Sequence, residues 1–454
     1  MSQTTQDTAL GAGLKTRHLT MMGLGSAIGA GLFLGTGVGI AAAGPAVLIA
    51  YIIAGAIVVF VMQMLGEMAS ARPASGSFSI YGEQAFGHWA GFSLGWLYWF
   101  MLTMVMGAEM TGAAAIMSSW FGISPWIPAL ICVAFFAVVN LANVRGFGEF
   151  EFWFAFIKVA VIIFFLIVGA LLIFGVLPGH DFIGTENFLD HGFMPNGVSG
   201  VAAGLLAVAF AFGGIEIVTI AAAESKDPKT AIGVAVRSVI WRISLFYLGS
   251  VLVITFLMPY DQLGGADSAA ESPFTRILAM ADLPGVVGFM EAVIVLALLS
   301  AFNAQIYATS RLVHSLAERG DAPRVFAATN KQGVPISSVL LSMFFAFLSV
   351  GLQYWNPPGL LSFLLNAVGG CLLVIWVMIA LSYLKLHPIM KKAGELTKVR
   401  MWGYPWLTWL TLAAIAGLII MMLFDESSRG QVTSVVVIFG GLIALSFAVK
   451  GAKK

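Results

Sequence analysis

Three ionisable side chains of this sequence lie inside long apolar runs, where a charge costs several kcal/mol and marks a functional site by default. Lys158 sits about two turns into Phe152-Trp153-Phe154-Ala155-Phe156-Ile157-Lys158-Val159-Ala160-Val161-Ile162-Ile163. Glu109 occupies the middle of another run, in Gly107-Ala108-Glu109-Met110-Thr111-Gly112, and Glu216 follows Phe210-Ala211-Phe212-Gly213-Gly214-Ile215. A lysine held out of water can gain and lose a proton near neutrality, which is the chemistry of a coupling group. A carboxyl in the same setting can carry a proton or face a substrate ammonium. Structural readings compete: Lys158 as a cation snorkelling along its methylene stem, and Glu109 as a neutral carboxyl bonded to a neighbouring helix. Glu216 favours binding or coupling, because the backbone beside it is already open.

That open backbone occurs twice. Gly25-Ser26-Ala27-Ile28-Gly29-Ala30-Gly31-Leu32-Phe33 carries three glycines, each weakening a helix by about 1 kcal/mol relative to alanine. Any N–H or carbonyl they release within hydrocarbon must find another partner. Phe210 to Glu216 interrupts a later run in the same way. Matched glycine interruptions in two halves of a chain point to a transporter binding site, with a GxxxG packing face at Gly25 and Gly29 as the alternative. A half-helix starting at residues 29–32 offers N–H groups and a positive dipole end to a carboxylate. Carbonyls at residues 212–216 suit an ammonium, so the two breaks together describe a site for a zwitterion. The candidate binding residues are Ser26, Ala27, Gly29, Ala30 and Gly31 from the first break, and Phe210, Phe212, Gly213, Gly214 and Glu216 from the second. Lys158 and Glu109 are the candidates for proton coupling. Thr36, Asn303 and Asn366 could add neutral hydrogen bonds. Glu67, Glu224 and Glu291, near run ends, are expected at the interface with water available, and Trp96, Tyr98 and Trp99 as interfacial aromatics.

The elements that position these residues are membrane spans. Hydrophobic residues make up 59% of the 454 and charged residues 10%, against about 25% charged in soluble domains, which excludes a soluble enzyme or a nucleic-acid partner. Apolar runs at about 19–43, 45–66, 88–118, 123–142, 150–176, 199–223, 236–258, 286–314, 336–354, 359–386, 405–424 and 431–449 give an all-α membrane protein of about twelve helices. Turn and breaker residues such as Arg72-Pro73, Pro178-Gly179, Asp227-Pro228 and Tyr404-Pro405 separate them. Residues 1–13 are polar and lack a signal-peptide pattern, so the first run is expected to stay as a span. With the N-terminus inside, all of the 23 lysines and arginines except Arg276, Arg429 and the intraspan Lys158 fall on the cytoplasmic side, Arg242 and Arg311 included. Both termini are therefore expected in the cytoplasm. Cys132 and Cys371 read as small core residues.

The chain resembles the amino-acid permeases of the amino acid, polyamine and organocation superfamily, specifically the bacterial amino-acid transporter family. The resemblance covers nearly the whole chain. It is carried by Gly13-Leu14-Lys15-Thr16-Arg17-His18, Ala27-Ile28-Gly29-Ala30-Gly31-Leu32-Phe33, Leu65-Gly66-Glu67-Met68, Gly148-Glu149-Phe150-Glu151-Phe152-Trp153, Phe212-Gly213-Gly214-Ile215-Glu216 and Ala222-Ala223-Glu224-Ser225. It implies the leucine-transporter type of fold, two inverted five-helix repeats and two further helices: a segment 1–18, repeats over 19–176 and 199–386, helices over 405–449, and a tail 450–454. It implies alternating access at the cytoplasmic membrane. Sodium-independent members carry a fifth-helix lysine whose ammonium stands in for sodium; Lys158 matches it, which implies proton coupling. The breaks look like aromatic amino-acid permeases, whereas Trp241-Arg242-Ile243-Ser244 and residues 400–409 look like 4-aminobutyrate permeases. The latter carry a methionine where Gly213 stands, and the missing side chain leaves room for a ring. Import of phenylalanine, tyrosine and tryptophan is therefore expected, with 4-aminobutyrate as the runner-up. An exchanger and a non-transporting nutrient sensor are the rivals on the same fold. No HExxH and no nucleophile–base grouping occur, so neither an enzyme nor a metal or cofactor site is expected.

Overall fold

The computed structural model describes residues 28–74, 78–142, 147–189, 192–213, 215–216, 228–263, 272–330, 333–424 and 426–449. Its long elements are helices: α1 (Thr36–Ala43), entered through a π-helical turn Gly31–Gly35, α2 (Val47–Ala71), α3 (Phe78–Phe86), α4 (His88–Phe121), α5 (Trp126–Ala142), α6 (Phe147–Ile173) and α7 (Gly197–Ala211). Then come α8 (Pro228–Trp241), which runs on through a π-helical segment Arg242–Leu248 into Gly249–Leu257, α9 (Pro273–Met280), α10 (Val286–Glu318), α11 (Ile336–Trp355), α12 (Leu360–Lys392), α13 (Trp406–Phe424) and α14 (Glu426–Ala448).

Nine stretches among the described residues are long and apolar enough to cross a membrane. One of them, Gly31–Ala71, holds two spans, because the chain reverses at Gly44, whose φ of +62° suits a glycine, and Pro45 then starts α2. The shorter apolar helices α5 and α7 complete the twelve. Exposed Ile131, Phe135 and Val138 on α5 and Phe447 on α14 give the bundle its lipid-facing surface.

Two contacts organise the interior. α1 and α7 meet through small residues: a Cβ on Gly204 would lie 3.2 Å from the Gly39 carbonyl oxygen, and one on Gly200 would lie 2.5 Å from that of Ala42. Such backbone-to-backbone packing is how membrane helices gain van der Waals contact without a hydrophobic driving force. α4 is buried along nearly its whole length, with Gly112 against Leu298 and Gly95 against Leu316 of α10. A second core joins α4, α5, α10 and α11, tied by Asn140 Nδ2 to Asn303 Oδ1 at 2.8 Å and by Thr309 to Ser342 at 2.8 Å.

Several expectations change here. α8 starts at Pro228, eight residues before the expected span, because a proline suits the first position of a helix. Arg242 is fully buried, and Arg311, 3% exposed, is buried within α10 over the Tyr307 ring, rather than reaching water as the charge count expects. Tyr98 and Trp99 are core residues rather than interfacial ones, since α4 is surrounded by α3, α10, α11 and α12. Asn303 turns to α5, and Thr36 turns to Tyr51 of α2 at 3.1 Å. Glu67 is buried rather than interfacial. It accepts hydrogen bonds from Tyr383 Oη at 2.8 Å and from the Met401 N–H at 2.7 Å, and pairs with His387 Nδ1 at 2.6 Å. Glu291, by contrast, is half-buried, and its Oε2 accepts from Trp120 Nε1 at 2.6 Å.

Candidate functional site

The first break is a short passage of protein-made substitutions for missing helix bonds. Within the π turn, the Leu32 and Phe33 N–H groups both donate to the Gly29 carbonyl, at 3.2 and 3.1 Å. The Ala30 N–H donates to Glu109 Oε2 of α4 at 2.9 Å. Gly29 makes room for that carboxylate: a Cβ there would collide with Glu109 Oε1. On the other side of the turn, the Phe33 carbonyl accepts a hydrogen bond from Ser272 Oγ at 2.7 Å, and its ring meets Phe274 of α9 edge-on at 5.0 Å.

The second break lies against the first. α7 ends at Ala211, and Phe212 closes a turn by donating to the Ala209 carbonyl at 3.1 Å. The released Ala211 carbonyl accepts from Tyr247 Oη at 2.8 Å. A Cβ on Gly31 would lie 2.6 Å from the Ala211 Cα, so the two interrupted helices touch backbone to backbone at their breaks. Phe212 is buried in a ring cluster, 5.0 Å from Tyr247 and 6.0 Å from Tyr51. Gly213 is partly exposed although Phe212 and Ile215 on either side are fully buried. Glu216 is buried, and its Oε1 accepts from Trp376 Nε1 of α12 at 3.2 Å.

Charge gathers around this crossing. Lys158, 1% exposed on α6, acts electrostatically on Glu109. Arg242 acts on Glu216 and on Tyr247, and Tyr98 is influenced by Glu216. Thus Gly29, Ala30, Gly31 and Glu109 meet at one break, Phe212, Gly213 and Glu216 at the other, and Lys158 bears on the first through Glu109. Ser26, Ala27 and Gly214 lie outside the described residues, as do Glu224 and the Phe210 side chain. Arg242, Tyr247 and Trp376 are the site neighbours that sequence reading missed; the signal for Arg242 was its place inside the apolar run 236–258. Neither cysteine joins the site, and no group of His, Cys, Asp and Glu among the described residues could hold a metal ion.

On the α3 side, away from the breaks, Arg319 donates to Glu83 at 2.9 Å, His88 pairs with Asp321 at 2.7 Å, and Trp96 Nε1 donates to the Asp321 carbonyl at 3.1 Å. Burial raises the Asp321 carboxyl above its ordinary value, while Arg319 and His88 pull it down.

The π-helical entry to α1 and the C-terminal end of α7, packed backbone to backbone in a bundle of apolar helices with charged side chains beside them, fit a membrane transporter with irregular backbone at its site. The amino acid permease family model matches residues 18–451, and the chain belongs to that family. It imports amino acids across the cell membrane as a multi-pass helical protein. It is 76% identical over 439 residues to an aromatic amino acid transport protein, AroP, of Corynebacterium glutamicum, covering 96% of this chain and 95% of that one. It is 41% identical to a gamma-aminobutyric acid permease of Bacillus subtilis, over 97% and 94% of the two chains. It is 36% identical to the AroP of Escherichia coli K12, over 95% and 93%.

Proposed function

We propose that this permease imports phenylalanine, tyrosine and tryptophan together with protons, by alternating access at the two breaks. The observation that carries the aromatic assignment is the 76% identity, over almost the full chain, to a protein named for aromatic amino-acid transport. Gly213 supports it: its position borders accessible space, and a ring placed there buries on the order of 150–250 Å². At about 25 cal/mol/Å² that is several kcal/mol before losses, and 4-aminobutyrate has no side chain to collect it. The substrate carboxylate lies toward Ala30 and its ammonium toward residues 212–216. Lys158 and Glu109 carry the coupling. The repeats are residues 19–176 and 199–386, both termini are cytoplasmic, and α9 lies on the outer side.

Reconstituted protein should accumulate labelled tryptophan in response to an imposed inward proton gradient, with no change when sodium is replaced by choline. Unlabelled phenylalanine and tyrosine should compete, and 4-aminobutyrate should not. The 4-aminobutyrate reading draws on the fact that the Bacillus subtilis permease is more similar to this chain than the Escherichia coli AroP is. Competition by 4-aminobutyrate with none by phenylalanine would establish that reading instead.

A further inference from the structure

At the first break a side-chain carboxylate of the protein already holds the Ala30 N–H. Glu109 reaches it from α4 at 2.9 Å, 79 residues away in sequence, into a space that exists because residue 29 has no Cβ. A substrate carboxylate seeking the same donor meets a group of its own chemistry and charge. Two carboxylates cannot share one N–H at hydrogen-bond distance without strong repulsion in a buried site.

We propose that Glu109 is a built-in stand-in for the substrate's carboxylate, and that the amino acid takes the Ala30 N–H only when Glu109 accepts a proton and lets go. This rests on the reading of the first break as the carboxylate end of a proton-coupled site. The exchange balances. Glu109 gains one proton from water and loses its charge, the incoming carboxylate replaces that charge beside Ala30 and Lys158, and on release the proton returns to water as Glu109 resumes the N–H. The number of buried negative charges at the break stays the same, so neither half of the cycle strands a cation. Strict exclusion makes the coupling one proton for each amino acid. The titratable groups acting on Glu109 from the packed elements are Lys158 of α6 and Tyr247 of α8, with Glu216 and Arg242 bearing on Tyr98 and Tyr247 at the second break.

The test is equilibrium binding of labelled tryptophan to purified protein, with no gradient, at roughly pH 5.5 to 8.5. Wild-type affinity should weaken with rising pH, approaching about tenfold per pH unit once Glu109 is ionised. Glu109→Gln should still bind tryptophan and exchange it in counterflow, with an affinity independent of pH, and should lose gradient-driven accumulation. A pH slope in Glu109→Gln equal to that of wild type overturns the proposal while leaving proton-driven uptake intact. Wild-type uptake indifferent to a proton gradient would instead remove the functional reading beneath it. Should the variant not fold, wild type decides alone. Competition by indole-3-propionate, which has the carboxylate and no amine, must weaken as pH rises. Competition by tryptamine, which has the amine and no carboxylate, must not, and equal slopes for the two overturn the proposal.

Discussion

Gly31→Ala probes the crossing of the two breaks most severely for the smallest chemical change. The added Cβ would stand 2.6 Å from the Ala211 Cα and 3.3 Å from its backbone N and C, whereas ordinary contact begins at 3.4 Å. The helices must therefore part by about 0.8 Å at the crossing, and both partners of the clash are backbone, which cannot turn aside as a side chain can. Overpacking of this kind costs about 1–3 kcal/mol. If that cost falls on the transport-competent arrangement, its population drops by about 5- to 150-fold. The separation also pulls the Ala211 carbonyl from Tyr247 Oη and shifts Ala30 relative to Glu109. Initial rates of tryptophan uptake in proteoliposomes at matched protein content should fall by at least several-fold, with a lower thermal midpoint. Gly288→Ala is the control, since nothing lies within 4 Å of its Cβ, and it should transport normally. A Gly31→Ala variant with wild-type rate and stability would show that the breaks do not touch.

Three further predictions follow from the same geometry. Lys158→Met keeps bulk and removes the charge beside Glu109, so gradient-driven accumulation should collapse while purified protein remains monodisperse in size-exclusion chromatography. Accumulation at the wild-type level would make Lys158 a structural cation. Gly213→Met fills the accessible space at the second break and should lower uptake of tryptophan and phenylalanine by more than tenfold, the equivalent of about 1.4 kcal/mol; unchanged aromatic uptake would place Gly213 away from the substrate. Asp321→Ala leaves His88 and Arg319 facing a gap and should cost about 1–3 kcal/mol, read as a lower thermal midpoint. An unchanged midpoint would show that the cluster carries no stability.

The two candidate breaks could be proposed from a few adjacent residues, because glycine's backbone cost and the absence of water in a bilayer act locally. Lys158, Glu109 and Glu216 were legible for a related reason: depth in an apolar run is a one-dimensional property. What each residue touches is not. The Glu109 seat on Ala30 depends on how α4 lies against the first break, and nothing near either residue announces it. Arg242 lay inside the expected span 236–258 and was still counted with the basic residues that reach water; its full burial comes from packing that the apolar pattern does not show. Tyr98 and Trp99 follow the pattern of an interfacial belt, but α4 is central, and burial on every side made them core. Glu67 lies near a span end, which usually means water; here Tyr383, His387 and the Met401 N–H enclose it. In each case tertiary packing decided a burial that local pattern could not.

The central claim, that the two breaks together hold the amino acid, is tested most directly by protection at Gly213. In a background with Cys132 and Cys371 replaced by alanine, Gly213→Cys is labelled with a small polar thiol reagent, with and without saturating tryptophan. Tryptophan should slow the labelling in proportion to its occupancy, with phenylalanine doing the same and 4-aminobutyrate not. Labelling at one unchanged rate, at tryptophan concentrations that saturate uptake by that same variant, would contradict it.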